Sequence, residues 1–140
     1  MAILAGIHCL LPNHSVPDAY ADEMRALVSR DPARSVVAYG NGQSIVFACG
    51  LDGFGKSGVH QDGTGGFTVL AGEPLCSGLA DDYCSDLAII HSEIAAGSTH
   101  SVKRSRGTFC LANVQGGALT LVADKLGVRQ MFYLIGRNHV

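Results

Sequence analysis

The chain has 140 residues, of which 47% are apolar and 16% are charged, and its formal net charge is -2 at pH 7. This length suffices for one domain with its own hydrophobic core and is short for two ordinary domains. The composition is typical of a globular protein and excludes a disordered or polybasic chain. Its charge therefore favours neither nucleic acid nor an anionic membrane as a partner.

The sequence also contains few targeting or redox signals. It has no uninterrupted apolar run of the length, about 18 residues, that a membrane helix needs, and its start lacks the pattern of a secretory signal peptide. We therefore expect a cytoplasmic protein. The five cysteines form no Cys-x-x-Cys pair and the six histidines are scattered, so we expect free thiols and no metal site.

The first part of the chain is predicted to form a strand and a helix. An apolar run over residues 2–11, ended by Pro12, is typical of a buried strand followed by a turn. A helix is predicted from Asp18 until Asp31-Pro32 stops it. The apolar positions that recur at helical spacing in this segment are Tyr20, Met24, Leu27 and Val28.

The middle of the chain is predicted to contain two short strands and a second helix. The strands are Ser44–Cys49 and Phe67–Ala71, and the glycine-rich stretch over residues 40–66 is expected to form turns and loops around them. Apolar positions at helical spacing predict the helix between Asp81 and Gly97, where the glycine ends it.

The last third is predicted to be a β-hairpin followed by a further strand. Residues 107–114 and 118–123 flank Gln115-Gly116-Gly117, a tight turn of the kind that joins hairpin strands. Both strands are apolar at most positions, so we expect both to be covered on both faces. The further strand is expected from Gln130 to Ile135, after a turn at Lys125-Leu126-Gly127.

One segment resembles a known family. From Leu121 to Tyr133 an apolar strand ends in Asp124, a turn with Gly127 follows, and a paired-aromatic strand comes next, as in the asparagine synthetase branch of the class II glutamine amidotransferases. Upstream, Arg104 to Phe109 is similar to the family's Gly-x-Phe entry into the preceding strand. Gln130 stands where the family usually has proline.

The resemblance extends more weakly over residues 1–140, which we take as one partial domain of the glutamine amidotransferase type 2 kind. It implies an α+β fold, the αββα sandwich of the N-terminal nucleophile (Ntn) hydrolases, incomplete at the C-terminus. The family's structural signature would be represented here by Asp124, Gly127 and Tyr133.

The resemblance also implies that the glutaminase site is silent. In the family an N-terminal cysteine attacks the glutamine amide, with its own amine as base, and here that position is Ala2. The family's oxyanion-binding Asn is replaced by Ala71, and no arginine occurs between Arg34 and Lys103, where the family has its carboxylate clamp. We therefore expect no catalytic residue. Gly72, Glu73 and Asp86 match the rest of the substrate pocket and are either vestiges of it or ordinary surface residues.

Two other patterns compete with this interpretation. Gly50 to Ser57 satisfies the P-loop pattern, with Asp124 as a candidate magnesium ligand, but the following residues 58–66 cannot sustain the helix that a P-loop requires. Cys9 would become an N-terminal nucleophile if residues 1–8 were a propeptide, although cleavage there would delete the expected first strand.

The function expected from the resemblance is that of a glutaminase-inactive pseudoenzyme domain. Its partner would be an ATP-dependent synthetase domain, in cis or in trans, that forms amide bonds as lasso-peptide cyclases and β-lactam synthetases do. The substrate would be a peptide or a small-molecule carboxylate. ATP and Mg would bind in the synthetase domain, whose Ser-Gly-Gly-x-Asp-Ser loop does not occur in these 140 residues, so we expect the chain to be a fragment. The alternatives are a glutamine-hydrolysing asparagine synthetase domain with a mutated nucleophile, and a free-standing binding module.

Overall fold

The computed structural model describes residues 3–29, 35–49, 58–74, 83–129 and 131–135, with residues 3 and 83–85 described by their backbone only. It shows a mixture of α-helices and antiparallel β-strands. The chain falls into two compact units: residues 1–50 with 132–140 form the first, and residues 51–131 form the second. Ala2, the P-loop-like segment 50–57 and Gln130 lie outside the described residues.

The first unit contains a three-stranded antiparallel sheet and one helix. In chain order its elements are β1 (Ile3–His8), α1 (Asp18–Val28), β2 (Val36–Gly40) and β3 (Ser44–Cys49). The strand order is β1-β3-β2, so the most apolar strand is central and hydrogen-bonds on both edges. The sequence correctly predicted β1, α1 and β3, whereas β2 was missed because no element was predicted for residues 36–39 and Gly40 was taken as the start of the glycine-rich loop region.

α1 packs on the sheet through a different face from the one predicted. Val28 is buried, and Ala21 and Met24 pack with it against Phe47 of β3. Tyr20 and Leu27, which we expected on the same face as Met24 and Val28, are about half exposed. Positions 21, 24 and 28 follow the three- and four-residue spacing of one helix face, whereas 20 and 27, which are seven residues apart, lie together on one side of it. The predicted apolar face was therefore partly wrong.

A buried histidine and serine connect β1 and β3. His8 Nδ1 and Ser44 Oγ are 2.7 Å apart, and both side chains are buried. Burial lowers the pKa of His8 below its ordinary value of 6.5, because a charged imidazole loses its hydration there.

This pKa shift predicts that acid weakens the protein. Between the lowered pKa of folded His8 and 6.5 the unfolded chain binds more protons, so stability is complete above 6.5 and falls as the pH falls through that window. Urea unfolding at several pH values between 5 and 7.5 measures the slope. We expect the slope to shrink in His8→Gln and to persist in the exposed control His14→Gln; an unchanged slope in His8→Gln would contradict this explanation.

The second unit contains a four-stranded antiparallel sheet and two helices. Its elements are β4 (Val59–Gln61), β5 (Phe67–Gly72), α2 (Tyr83–Ala95), α3 (His100–Arg104), β6 (Phe109–Gln115) and β7 (Ala118–Ala123), and the strand order is β4-β5-β6-β7. The predictions of β5, α2 and the β6–β7 hairpin are confirmed, and α2 ends before Gly97, whose φ is +73°. β4 and α3 were missed. That β4 is a strand agrees with the prediction that residues 58–66 form no helix.

The core of this unit lies between α2 and the two central strands. It consists of six buried apolar side chains from α2, α3, β5 and β6, namely Leu70, Leu87, Ile90, Val102, Phe109 and Leu111. β6 is also buried at the alternate positions Ala112 and Val114, so the prediction that it is covered on both faces is confirmed. The same prediction is wrong for β7, which is exposed at Ala118, Leu121 and Ala123 because it is the edge strand.

The strand expected from Gln130 to Ile135 is not formed in the described residues 131–135, which have no regular structure. Four consecutive side chains there, Phe132, Tyr133, Leu134 and Ile135, are between 64% and 85% exposed. No described strand pairs with this segment, and a single strand without a partner has no hydrogen bonds to stabilise it. The prediction was therefore wrong for these residues, and Tyr133 makes no core contact of the kind expected from a structural signature.

None of the helices in the described part of the chain is both long and apolar enough to cross a membrane.

Candidate functional site

The residues around the end of β5 form the first candidate site, which we call the β5 corner: Gly72, Glu73, Gly107, Thr108 and Arg129. Gly72 is the last residue of β5 and pairs with Phe109 of β6. The next residue, Glu73, donates its backbone N–H to Thr108 O at 3.0 Å. The corner is therefore held together by the backbone where β5 ends and β6 begins.

Two glycines make the close approach in the β5 corner possible. Gly72 has a φ of +98°, which side chains rarely allow, and a Cβ there would collide with Thr108 O and lie 2.6 Å from Arg129 Nε. A Cβ on Gly107 would collide with Glu73 O. Neither position can carry a side chain unless the backbone moves.

The turn after β7 brings Arg129 to this corner, and Asp124 organises the turn. The Asp124 carboxylate accepts the backbone N–H groups of Leu126 at 3.0 Å, Val128 at 3.1 Å and Arg129 at 3.0 Å. These bonds, above all the one from Arg129, lower the pKa of Asp124. Gly127 supports the turn with a φ of +64° and donates its N–H to Asp124 O.

The predicted structural roles of Asp124 and Gly127 thus have a physical basis in this turn. The alternative in which Asp124 binds magnesium beside a P-loop loses support, because backbone N–H groups already occupy both oxygens of this carboxylate.

The other predicted pocket residues lie in the same unit on different elements. Ala71 is buried on β5 opposite Cys110 and offers only a methyl group where an oxyanion donor was sought. Glu73 is exposed, in agreement with a surface role. Asp86 lies in the first turn of α2 and is half-buried, with its Oδ1 inaccessible to solvent.

Sequence reasoning missed Arg129 as a candidate. The resemblance placed the carboxylate-binding arginine in the segment around Ala71-Gly72, and residues 35–102 contain no arginine. Arg129 reaches Gly72 from a turn more than fifty residues later in the chain. The available signal was its position in the Asp-turn-Gly motif, two residues after Gly127.

Neither Cys110, near the β5 corner, nor Cys9, the nucleophile of the propeptide alternative, is an exposed thiol. Burial raises the pKa of the half-buried Cys110 thiol, and the nearby positive charge of Arg129 offsets part of that rise. Cys9 is buried directly after β1, where its N–H donates to Gln43 O. A propeptide cut before Cys9 would remove β1 and its pairing with β3, which argues against that alternative.

A second polar cluster lies beneath α2 and consists of Asp62, Thr68, His91 and Asn113, which we call the His91 cluster. His91 Nε2 lies 3.0 Å from Asp62 Oδ2, and His91 Nδ1 lies 2.8 Å from Thr68 Oγ1. Asn113 Nδ2 donates to Thr68 Oγ1 at 2.8 Å. Since an ionised carboxylate only accepts, we assign the ring proton to Nε2, and Nδ1 then accepts from the Thr68 hydroxyl.

Asp62 connects this cluster to the turn between β4 and β5. Its Oδ1 accepts the hydroxyl and backbone N–H of Thr64 and the N–H of Gly66. The Thr64 hydroxyl contributes most, and His91 next, to a strongly lowered pKa of Asp62. The carboxylate therefore stays ionised at neutral pH and fixes both the turn and the imidazole.

The order hydroxyl, imidazole and carboxylate is that of a nucleophilic triad, but the environment excludes that chemistry. Thr68 is 0% exposed and Asn113 is 1% exposed, and both lie on the face of the sheet that α2 covers. No substrate can reach Thr68 Oγ1 without removal of α2. The His91 cluster is therefore a structural hydrogen-bond network, and the β5 corner remains the candidate functional site.

Comparisons with known proteins give no further guide to function, since no family model, curated protein or solved structure matches the chain.

Proposed function

We propose that this chain is a glutamine amidotransferase-like domain of the asparagine synthetase type that has lost glutamine hydrolysis and serves an ATP-dependent, amide-forming synthetase domain. The observation that carries the proposal is the arrangement of the signature segment. The β6–β7 hairpin leads into a turn that Asp124 and Gly127 stabilise. This turn places the Arg129 side chain against Gly72. Asp124, Gly127 and Gly72 are residues on which the resemblance rests.

The finer fold assignment belongs to the same proposal. Each unit has an antiparallel sheet with a helix packed on it, α1 on β1 and β3 in the first and α2 on β4, β5 and β6 in the second. A sheet with a helix packed on one face, which occurs once in each unit, is the component from which an αββα sandwich of the Ntn-hydrolase type would be built.

The proposed loss of glutaminase activity follows from side-chain chemistry. The methyl group of Ala2 has no lone pair with which to attack an amide, and Ala71 supplies no donor for an oxyanion. Loss of one such donor alone slows acyl transfer by about 100- to 1,000-fold. A synthetase that closes an amide within its own substrate needs no ammonia, which would remove the selection for this site.

The genetic context tests the proposed partner. We expect the same gene or its neighbour to encode an ATP-binding domain with a Ser-Gly-Gly-x-Asp-Ser loop. That assembly should catalyse ATP–pyrophosphate exchange that depends on a carboxylate substrate and is indifferent to glutamine. A gene with no synthetase domain within it or beside it, or exchange that requires glutamine, would contradict the proposal.

A further inference from the structure

Four consecutive apolar side chains stand exposed in residues 131–135, which we call the tail segment. The segment has no regular structure, and Phe132, Tyr133, Leu134 and Ile135 are between 64% and 85% exposed. It contains no charged residue, glycine or proline, and its aromatic and β-branched side chains favour an extended strand. Exposed apolar runs with strand propensity mark places where another strand is added.

The strand β7 offers the matching feature, an unprotected edge. Among the described residues β7 pairs only with β6, so its outer backbone N–H and C=O groups have no strand partner there. Edge strands usually carry a lysine, a proline or a bulge that discourages pairing. β7 has no charged residue and no proline, and its register with β6 is uninterrupted. Leu121 is 36% exposed, so the edge is also apolar.

The turn after β7 directs the chain away from this edge. Asp124 accepts the backbone N–H of Arg129, and the Arg129 side chain lies against Gly72 of β5. Because β6 lies between β5 and β7, this contact is on the side of β7 opposite its outer edge. The tail segment follows Arg129 closely and forms no strand with its own β7. A second copy of the chain presents the same edge without the constraint of this turn.

We propose that the chain forms a dimer in which the tail segment of each copy pairs as a strand with β7 of the other copy. The exchange is reciprocal, so both tail segments and both edges gain partners and the assembly closes with two-fold symmetry. Backbone hydrogen bonds supply the pairing, and apolar side chains of the tail segment cover Leu121. This interface goes beyond the proposed function, because it involves neither glutamine nor a synthetase domain.

Sedimentation equilibrium of the 140-residue chain tests the association. We expect a species of twice the 14.6 kDa chain mass at micromolar concentrations. Amide hydrogen exchange in the tail segment and in β7 should slow as the concentration rises, because pairing protects these groups. A chain that stays monomeric would overturn the proposal; this is also the result expected if a synthetase domain, rather than a second copy, covers the tail segment.

Two substitutions to lysine block the two halves of the interface separately. Phe132→Lys charges the tail segment and Leu121→Lys charges the edge, and each should weaken dimerisation at least about tenfold. Leu27→Lys makes the same change at a half-exposed position of α1 and should leave dimerisation unchanged. Circular dichroism of each variant establishes that it is folded.

A mixture of the two blocked variants distinguishes exchange from other pairings. Each variant alone has two damaged contacts, whereas a mixed dimer keeps one intact contact, between the tail segment of Leu121→Lys and β7 of Phe132→Lys. We therefore expect the mixture to associate more tightly than either variant alone.

Four outcomes of the variant experiments would overturn the proposal. Undiminished dimerisation of Phe132→Lys would indicate that β7 pairs with β7, and undiminished dimerisation of Leu121→Lys would indicate that tail segments pair with each other. A mixture no tighter than its components would exclude reciprocal exchange. An equal loss in Leu27→Lys would show that the added charge acts without regard to its position.

Discussion

Replacement of Gly72 by alanine is expected to destabilise the second unit by roughly 2–5 kcal/mol. Two costs combine at this residue. The φ of +98° strains any side chain, and the new Cβ would collide with Thr108 O while lying 2.6 Å from Arg129 Nε. Because Thr108 O is a backbone atom next to β6, it cannot move aside without disturbing the pairing of Gly72 with Phe109. Urea unfolding followed by circular dichroism measures the loss.

Two glycines in the same unit serve as matched controls. Gly97 has a φ of +73° but open space around it, so Gly97→Ala isolates the backbone strain and should cost only about 1–2 kcal/mol. Gly63 has open space and no such φ, so Gly63→Ala should change stability by no more than about 0.5 kcal/mol. If Gly72→Ala cost no more than Gly97→Ala, the close contact with Thr108 and Arg129 would not exist as described.

Replacement of His91 by phenylalanine is expected to destabilise the same unit by roughly 2–5 kcal/mol. The ring is 3% exposed, and a phenyl ring of similar size fills its space but has no nitrogen. The Thr68 hydroxyl would lose its acceptor 2.8 Å away, and Asp62 Oδ2 would lose its His91 donor 3.0 Å away and keep only Gln115 Nε2 at 3.4 Å. The buried Thr68 hydroxyl left without its acceptor accounts for most of the expected loss. Thermal and urea unfolding measure it.

His60 provides the control for ring packing in the His91 cluster. Its ring centroid lies 4.9 Å from that of His91, and His60 itself is only half-buried. His60→Phe keeps an aromatic contact and should cost less than about 1 kcal/mol. Similar losses in the two variants would show that ring packing, rather than the bonds to Thr68 and Asp62, stabilises the cluster.

The sheets could largely be predicted from the sequence because their strands are short apolar runs with clear ends. Glycine-containing turns precede both β3 and β5, and Gly116-Gly117 takes positive φ values of 56° and 77° between β6 and β7. Local chemistry determines such features. The length and position of these apolar runs therefore sufficed to predict β3, β5 and the hairpin.

Predictions failed where tertiary contacts decide the outcome. Phe132 and Tyr133 have strong strand propensity, but propensity does not supply a neighbouring strand, and the described segment stays irregular and exposed. Leu27 was assigned to the packed face of α1 from its apolarity, whereas the position of β3 selects Ala21, Met24 and Val28. Which side of a helix is buried depends on the sheet it meets.

The candidate site was predictable only in part for the same reason. Gly72 and Asp124 occur in short motifs whose backbone roles are local, and the structure gives both a physical basis. The approach of Arg129 to Gly72 depends on β5, β6 and β7 being adjacent, and no spacing along the chain indicates it. The His91 cluster likewise joins residues 62, 68, 91 and 113, which only the fold brings together.

Ammonia release from L-glutamine by the Ala2→Cys variant tests most directly the proposal that this chain carries a glutaminase site inactivated by more than one substitution. Intact mass must first show that Met1 has been removed, so that the cysteine carries a free α-amine as its base. Because Ala71 still provides no oxyanion donor, we expect a rate at least about 100-fold below that of an active amidotransferase measured in parallel. A rate within a few-fold of that enzyme would contradict the account and identify Ala2 as the sole lesion.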